Sequence, residues 1–327
     1  MNQVPSIKLM ISAKNWIGVF TNEVRKEFSK VNFVECKKRE EILEHIKDAD
    51  VALIGPWDSE IFSSAQRLKW VHTGTGGVES YLFPEFANSN VIFTCGKSTY
   101  NISGAESALA SILLFSKQFH LKRNIEPKDE NYFSGLGDQY PPENIMGQTL
   151  GIIGTGNMGQ ALAERASNLG LKVLGTSRYK RTDTPIGVDK MFDKDDISEL
   201  LSTSDFIVIA VPNTKETQGI VNESLLSQMK KTSYLIDISG RLTVFNYPDL
   251  QQAIEENWIA GVSLQPSGHD PDLEMPPINS DFWKRDNVIV TTCRVTPNDA
   301  SKMFLDNLRE FQKGTPMEGI VNKKIGY

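Results

Sequence analysis

Leu150-Gly-Ile-Ile-Gly-Thr-Gly-Asn-Met-Gly159 is the stretch that decides the fold. An apolar run enters G-x-G-x-x-G and passes at once into residues of helical spacing, the order of a strand, a phosphate-binding turn and a helix. Gly154 permits the tight turn, Gly156 lets the backbone approach a pyrophosphate, and Gly159 lets the helix lie close on its strand. The start of that helix presents unpaired N–H groups and a partial positive charge to the phosphates. A glycine-rich turn by itself also arises in ordinary loops, so its surroundings carry the weight. Leu162, Ala166 and Leu169 recur at helical spacing, Gly170 is the expected stop, and Lys172-Val173-Leu174 resumes as a strand. The run therefore predicts a βαβ unit that holds a dinucleotide at Gly154, Thr155, Gly156, Asn157, Met158 and Gly159.

The end of the second strand bears on which dinucleotide is favoured. An acidic side chain there binds the ribose hydroxyls of NAD and repels a 2′-phosphate. This chain has no acid at that point and reads Gly175-Thr176-Ser177-Arg178-Tyr179-Lys180-Arg181. Ser177 offers a small hydroxyl, and Arg178 a guanidinium that can take a phosphate in bidentate fashion. A solvated basic loop has the same composition but leaves the missing acid unexplained. The expectation is NADP over NAD.

At 327 residues, 39% of them apolar, the chain is long enough for two domains with their own cores. A formal charge of −6, with both signs interspersed, gives neither a nucleic-acid stripe nor a polybasic membrane patch. Cys36, Cys95 and Cys293 form no disulfide framework or zinc pattern, and the four histidines lack metal-ligand spacing, so no metal is expected. Such cysteine usage fits a reducing cytoplasm. No apolar run approaches the ~18 residues of a membrane span, and the first residues do not read as an export signal. Neither a membrane nor a nucleic acid is an expected partner.

Before the glycine turn, apolar runs at Ile7–Ile11, Val51–Ile54, Trp70-Val71 and Val91–Phe93 alternate with helix-like segments such as Arg39 to Lys47, a small α/β domain. Ser103 to Phe119, rich in Ala, Leu, Ile and Ser, predicts a buried helix leading to the next domain. Asn124 to Gln148, with several prolines and glycines, predicts an irregular connection. Beyond the first βαβ unit, runs at Asp205–Ala210, Tyr234–Ile238, Ile259–Leu264 and Val288–Val290 complete a parallel sheet. Between them lie a helix capped by Asn222 with Leu225, Leu226 and Met229 inward, and a helix from Asp249 to Glu256. The last thirty or so residues hold no strand for that sheet and are expected to return, as a helix, to the first domain. The fold class is thus α/β, two Rossmann-like or flavodoxin-like domains with parallel sheets. The expected division is residues 1–98 with 297–327, and residues 99–296, with a ligand cleft at the junction.

These residues resemble the D-2-hydroxyacid dehydrogenases over nearly the whole chain. Leu68-Lys-Trp-Val-His-Thr-Gly-Thr-Gly-Gly-Val-Glu79 is similar to the family's substrate-domain loop, which implies that Thr75, Gly76 and Gly77 receive a substrate carboxylate. Gly104-Ala-Glu106 stands where the interdomain helix opens. Val211-Pro-Asn-Thr-Lys-Glu-Thr217 and Met229-Lys230 resemble two landmarks of the coenzyme domain, which implies coenzyme contacts at Val211, Pro212 and Thr217. Gly314-Thr-Pro-Met and Gly326-Tyr327 match the ending. Ser177-Arg178 resembles the NADP-preferring, glyoxylate or hydroxypyruvate reductase branch.

The resemblance implies three catalytic side chains: a histidine that exchanges a proton with the substrate oxygen, a glutamate that orients it, and an arginine that holds the carboxylate and polarises the carbonyl. Each departs from pattern here. The family's Asn-x-x-Arg-Gly is Asp237-Ile-Ser-Gly240-Arg241, so counting forward puts Gly240 in the catalytic position and counting back from Leu250 puts Arg241 there. A one-residue shift in extended chain turns a side chain to the opposite face unless a bulge restores it. The segment Asp-Val-Phe-x-x-Glu-Pro becomes Gln265-Pro-Ser-Gly-His-Asp270-Pro271. Asp270 keeps a carboxylate with one methylene less reach, and Gln265 replaces an aspartate that helps seat the nicotinamide carboxamide. The histidine becomes Cys293. A thiol titrates at about 8.5 against about 6.5 for imidazole, so at neutral pH it is a mostly protonated acid, better suited to reduction than oxidation. Without a substitute donor, a factor of roughly 10²–10⁴ in rate is at stake. Cys293 also reads as an inert buried thiol. His269 beside Asp270, Arg294 beside Cys293, and His72 in the carboxylate loop are further donors that an ordinary structural role explains as well.

Two functions follow from this set. One is NADPH-dependent reduction of a small 2-oxo acid or a related compound, oxidoreductase chemistry on CH–OH donors with an atypical active site. The other is a catalytically impaired NADP(H)-binding sensor or scaffold. Members of the family pair through the interdomain helix, so the resemblance also implies a homodimer.

Overall fold

The computed structural model describes residues 6–13, 20, 22–122, 138–178, 183–193, 197–266, 273–292 and 297–326. The chain divides into two compact units, Met1–Tyr100 with Val295–Tyr327, and Asn101–Arg294.

The first unit is built on five parallel strands, β1 (Ile7–Ile11), β2 (Val31–Glu35), β3 (Val51–Leu53), β4 (Trp70–Thr73) and β5 (Ile92–Cys95), in the order β2-β1-β3-β4-β5. Alternate residues feed opposite faces, as the pleat requires. Leu9, Ile11, Val51, Leu53 and Trp70 pack on one side, while Met10, Ala52, Ile54, Val71 and Phe93 pack on the other. The C-terminal helix Pro297–Lys313 returns to this unit, burying Phe304 and Leu308 in the first of those layers. The Phe304 ring stacks on Trp70 at 5.2 Å. The chain then runs along β5, where Cys95 N–H donates to Gly319 O and Val321 N–H to Phe93 O. Lys323 Nζ closes the tail by donating to the carbonyls of Phe86, Ser89 and Val91.

The second unit holds seven parallel strands: β6 (Thr149–Ile153), β7 (Lys172–Ser177), β8 (Lys190–Asp193), β9 (Phe206–Ile209), β10 (Tyr234–Asp237), β11 (Gly261–Leu264) and β12 (Val288–Val290). Their order is β12-β11-β10-β9-β6-β7-β8. The chain reverses its direction of travel across the sheet between β6 and β9, the switch point at which open α/β sheets bind ligands. Because every pairing is parallel, all seven C-terminal ends lie along one edge.

The helix Tyr100–Ser116 buries Ala105, Ala108, Ile112 and Phe115 against this sheet, with Phe115 stacked on Tyr234 at 4.2 Å and Ser111 Oγ 2.9 Å from Ser263 Oγ. The helix after the glycine turn runs Asn157–Asn168 and buries Gly159, Leu162, Ala163 and Ala166. It closes with Leu171 N–H on Ala166 O and Gly170 N–H on Ser167 O, the paired bonds of a Schellman ending. That ending corrects one expectation. Leu169 caps the helix and is 45% exposed, while Leu171, past the turn, takes the inward place at 4%. Asn222 caps the Glu223–Leu226 turn as the sequence indicates, its side chain accepting from Leu225 N–H, with Leu225, Leu226 and Met229 buried. Among the described residues no helix is long and apolar enough to cross a membrane, and no group of three His, Cys, Asp or Glu could hold a metal ion.

Candidate functional site

The exit of β6 is built from backbone. Gly154 adopts φ +102°, and a Cβ there would lie 2.7 Å from Ala210 O, so only glycine fits the turn. A Cβ on Gly159 would come within 2.2 Å of Gly154 O, the close approach that lets the helix sit on its strand. Thr155 locks the turn to β7 and is buried: its N–H and Oγ1 both donate to Thr176 O, at 2.7 and 2.9 Å. The first helical bond runs from Gln160 N–H to Gly156 O, leaving the N–H groups of Asn157, Met158 and Gly159 without a helical acceptor. Among the described residues nothing lies within 4 Å of a Cβ built on Gly156, so that approach is open. The Met158 side chain is spent on packing, its Sδ filling the space over Gly104. Only its backbone remains for a ligand.

At the exit of β7, Ser177 is half-buried and Arg178 exposed, with Arg178 Nη2 2.9 Å from Glu216 Oε1. Tyr179, Lys180 and Arg181 lie outside the described residues. Beyond β9, Val211 and Pro212 open a loop that Thr217 clips shut. Its Oγ1 donates to Pro212 O at 2.7 Å and accepts from Thr214 N–H at 2.9 Å. Thr243 Oγ1 braces the same loop through Asn213 Oδ1.

The exit of β10 carries the two residues of the register question, Gly240 and Arg241. The strand ends at Asp237, and Gly240 takes φ +64°, a left-handed turn that an arginine adopts only with strain. Arg241 then resumes extended chain, half-buried, its N–H donating to Ser239 Oγ. Ser239 is itself held by Asp237 Oδ1, which accepts from its N–H at 2.8 Å and from its hydroxyl at 2.6 Å. Asp237 Oδ2 accepts a longer bond, 3.4 Å, from Gln265 N–H at the exit of β11. Burial pushes the Asp237 carboxyl up to about 7, against the lowering effect of those donors. Gln265 is buried as well, and among the described residues its Oε1 has no hydrogen-bond partner. A buried acceptor left unpaired is costly, and an amide or hydroxyl donor from a ligand would relieve it. Asp270 and His269, and Cys293 with Arg294, lie outside the described residues.

In the first unit, β4 ends in the loop singled out for a carboxylate. Thr75 Oγ1 donates to Gly77 O at 2.7 Å and Thr75 O accepts from Gly96 N–H, which fixes the loop's curve. Among the described residues, neither Gly76 N–H nor Gly77 N–H has a protein acceptor. The Tyr100 ring lies against Gly76, 3.3 Å from where a Cβ would stand. His72 is not a donor to this loop: it is fully buried, with Nδ1 2.7 Å from Thr94 Oγ1, and burial pushes it down to about 3. It belongs to the core with Trp70 and Phe304.

The second unit fits a nicotinamide dinucleotide. It offers open N–H donors at a glycine turn, an unobstructed Gly156, and a buried unpaired acceptor at Gln265 on the same edge of the sheet. Three residues at that edge, Asp237, Ser239 and Glu216, were assigned no role from sequence. Asp237 and Ser239 carry a local signal, an acid closing an apolar strand with a hydroxyl two residues on. Glu216 carries none, since its partner is 38 residues away.

The family model for the D-isomer specific 2-hydroxyacid dehydrogenase NAD binding domain matches residues 113–292. A glyoxylate reductase of Pyrococcus horikoshii is 30% identical over 305 residues, covering 88% of this chain and 87% of that one. One of Thermofilum pendens is 31% identical over 307 residues, covering 88% and 85%. Among solved structures, a D-isomer specific 2-hydroxyacid dehydrogenase family protein of Aeromonas salmonicida aligns with TM-score 0.79 at 22% identity, covering 97% and 99% of the two chains. An NADPH-dependent glyoxylate/hydroxypyruvate reductase of Sinorhizobium meliloti, solved with NADP and sulfate, aligns with TM-score 0.77 at 22% identity, covering 98% and 100%. The solved structures share the fold, and the family model with the sequence relatives settles kinship: this chain belongs to the D-isomer specific 2-hydroxyacid dehydrogenase family, oxidoreductases that act on CH–OH donors.

Proposed function

We propose that this protein reduces a small 2-oxo acid to the 2-hydroxy acid at the expense of NADPH. The observation that carries the reading is the single sheet edge at which the glycine turn after β6, Arg178 after β7, Arg241 after β10 and Gln265 after β11 all emerge. In this reading residues 99–296 hold the coenzyme and residues 1–98 with 297–327 the substrate. The relatives' names support glyoxylate as the first substrate to try, and they do not favour a non-catalytic sensor or scaffold.

The N–H groups of Gly156, Asn157, Met158 and Gly159 hold the pyrophosphate, with Gly154 and Thr155 shaping the turn. Ser177 and Arg178 take the 2′-phosphate, Val211, Pro212 and Thr217 line the coenzyme's course, and Gln265 Oε1 accepts from the carboxamide. When bound, NADPH supplies the hydride that reduces the carbonyl carbon. Gly76 and Gly77 N–H, with Thr75, bind the substrate carboxylate, and Arg241 stabilises charge developing on the carbonyl oxygen. Cys293 Sγ–H gives that oxygen its proton and recovers one from solvent, with Asp270 orienting the exchange. A thiol protonated at neutral pH performs this in the direction of reduction.

Purified protein mixed with NADPH and a panel of 2-oxo acids, glyoxylate and hydroxypyruvate included, is expected to lose reduced-nicotinamide absorbance, and more slowly as Cys293→Ala. Wild type that binds coenzyme yet turns over none of the panel would defeat the reductase reading. The exposed Ile102 and Leu113 on the Tyr100–Ser116 helix, with Phe119 just beyond it, support a homodimer, which light scattering checks. Cys36 and Cys95, free and buried, support a reducing, cytoplasmic setting.

A further inference from the structure

We infer that Glu216 sets how strongly this chain prefers the phosphorylated coenzyme, by holding its carboxylate on the guanidinium that a 2′-phosphate needs. The inference rests on the coenzyme reading above. Arg178 leaves the end of β7 and Glu216 sits on the loop after β9, and the two meet with Nη2 2.9 Å from Oε1. The meeting is built in, because the residue next to Glu216 is the clip of its loop. Thr217 Oγ1 binds Pro212 O and Thr214 N–H, and Asn213 is tied to Thr243. Glu216 therefore departs from a braced backbone, which keeps its Cα within reach of Arg178.

A carboxylate and a phosphate ask the same thing of a guanidinium, two oxygens along its N–H fork. Glu216 holds Arg178 through Nη2 alone, so a 2′-phosphate that takes Arg178 shares the guanidinium with the carboxylate or displaces it, and either way the carboxylate's charge stands beside a dianion. An unphosphorylated coenzyme brings no anion to this point and leaves the ion pair intact. Glu216 thus weakens NADPH selectively and narrows the gap between the two coenzymes. The side chains are 41% and 65% exposed, so the pair is a solvated one, and its removal moves an equilibrium by about two- to fivefold rather than by orders of magnitude.

Binding, not turnover, reads this out. Quenching of tryptophan fluorescence is titrated with NADPH and with NADH on wild type, Glu216→Gln, Arg178→Gln and the double variant. Glu216→Gln is expected to tighten NADPH about two- to fivefold and to leave NADH unchanged. The gain should shrink in high salt, where exposed charges are screened, and vanish when Arg178 is also replaced. If Arg178→Gln weakens NADPH while Glu216→Gln does nothing or weakens it too, the role given to Glu216 is overturned and the coenzyme reading stands. If Arg178→Gln leaves NADPH binding as it was, the NADP reading falls, and this inference with it.

Discussion

His72 lies inside β4, in register with Leu53 of β3 and Thr94 of β5, whereas Asp237 closes β10 at the edge where the coenzyme turn emerges. Both are buried, and burial disfavours the charged form of each, so the base is pushed down to about 3 and the acid up to about 7. Their surroundings differ in kind. His72 meets the rings of Trp70 and Phe304 and the Thr94 hydroxyl, and it serves the packing of the first unit. Asp237 accepts from Ser239 and Gln265, and through Ser239 it holds Arg241, so its polar atoms shape a loop at the candidate site. The mid-strand histidine belongs to the core, and the strand-end aspartate braces the loop that carries Arg241.

The comparison has opposite signs in pH, which makes it breakable. Below the unfolded histidine value of 6.5, the unfolded chain takes up a proton that folded His72 refuses until about 3. Stability of the first unit therefore falls as pH falls through that window, by as much as about 5 kcal/mol over its full width. His72→Leu should flatten this acid limb, whatever constant offset the lost Thr94 contact adds. Amide exchange followed by mass spectrometry on β1, β3 and β4 at about pH 7 and about pH 4 measures it. Parallel pH profiles for variant and wild type would sink the claim.

The second unit should slope the other way. Above the unfolded aspartate value of 3.8 the unfolded chain gives up a proton that folded Asp237 keeps until about 7, so stability falls as pH rises through that window. The full span is worth roughly 4 kcal/mol. Asp237→Asn keeps an oxygen for Ser239 and has no charge to bury, so urea unfolding should show it gaining on wild type from about pH 5 to about pH 8. A gain in stability with a loss in turnover would mark Asp237 as a residue kept for its site. An unchanged difference across pH would say that the carboxylate is already ionised in the fold.

How much of this was legible follows the same division between core and edge. The strands β1, β3, β6, β9, β10 and β11 are rich in apolar residues and mostly buried on both faces, and each announces itself. The strands β2 and β8 do not, because Val31–Glu35 and Lys190–Asp193 are sheet borders where charged and half-exposed residues dilute the pattern. The glycine turn could be read because its requirements are backbone requirements, and only glycine meets them. Arg241 could not be placed by counting from either side, since the left-handed residue Gly240 uncouples the two counts. His72 was open between a donor and a structural role, and the inward pleat of β4 selects the structural one.

The smallest expected change in stability sharpens the contrast within the second unit itself. Gly156 heads its helix with φ −70° and ψ −167°, a conformation open to any residue, and among the described residues an added Cβ meets no protein atom within 4 Å. Gly156→Ala should therefore cost less than about 1 kcal/mol, the scale of a weakened helix cap. The same methyl points into the space through which a pyrophosphate must approach. Coenzyme binding should then weaken roughly tenfold or more, the scale of an overpacked contact of about 1–3 kcal/mol. Thermal unfolding without coenzyme gives the first quantity and titration with NADPH the second. A variant that loses stability and binding together would mean that Gly156 serves the fold, as Gly154 and Gly159 do, and would remove the one open position of the turn from the site.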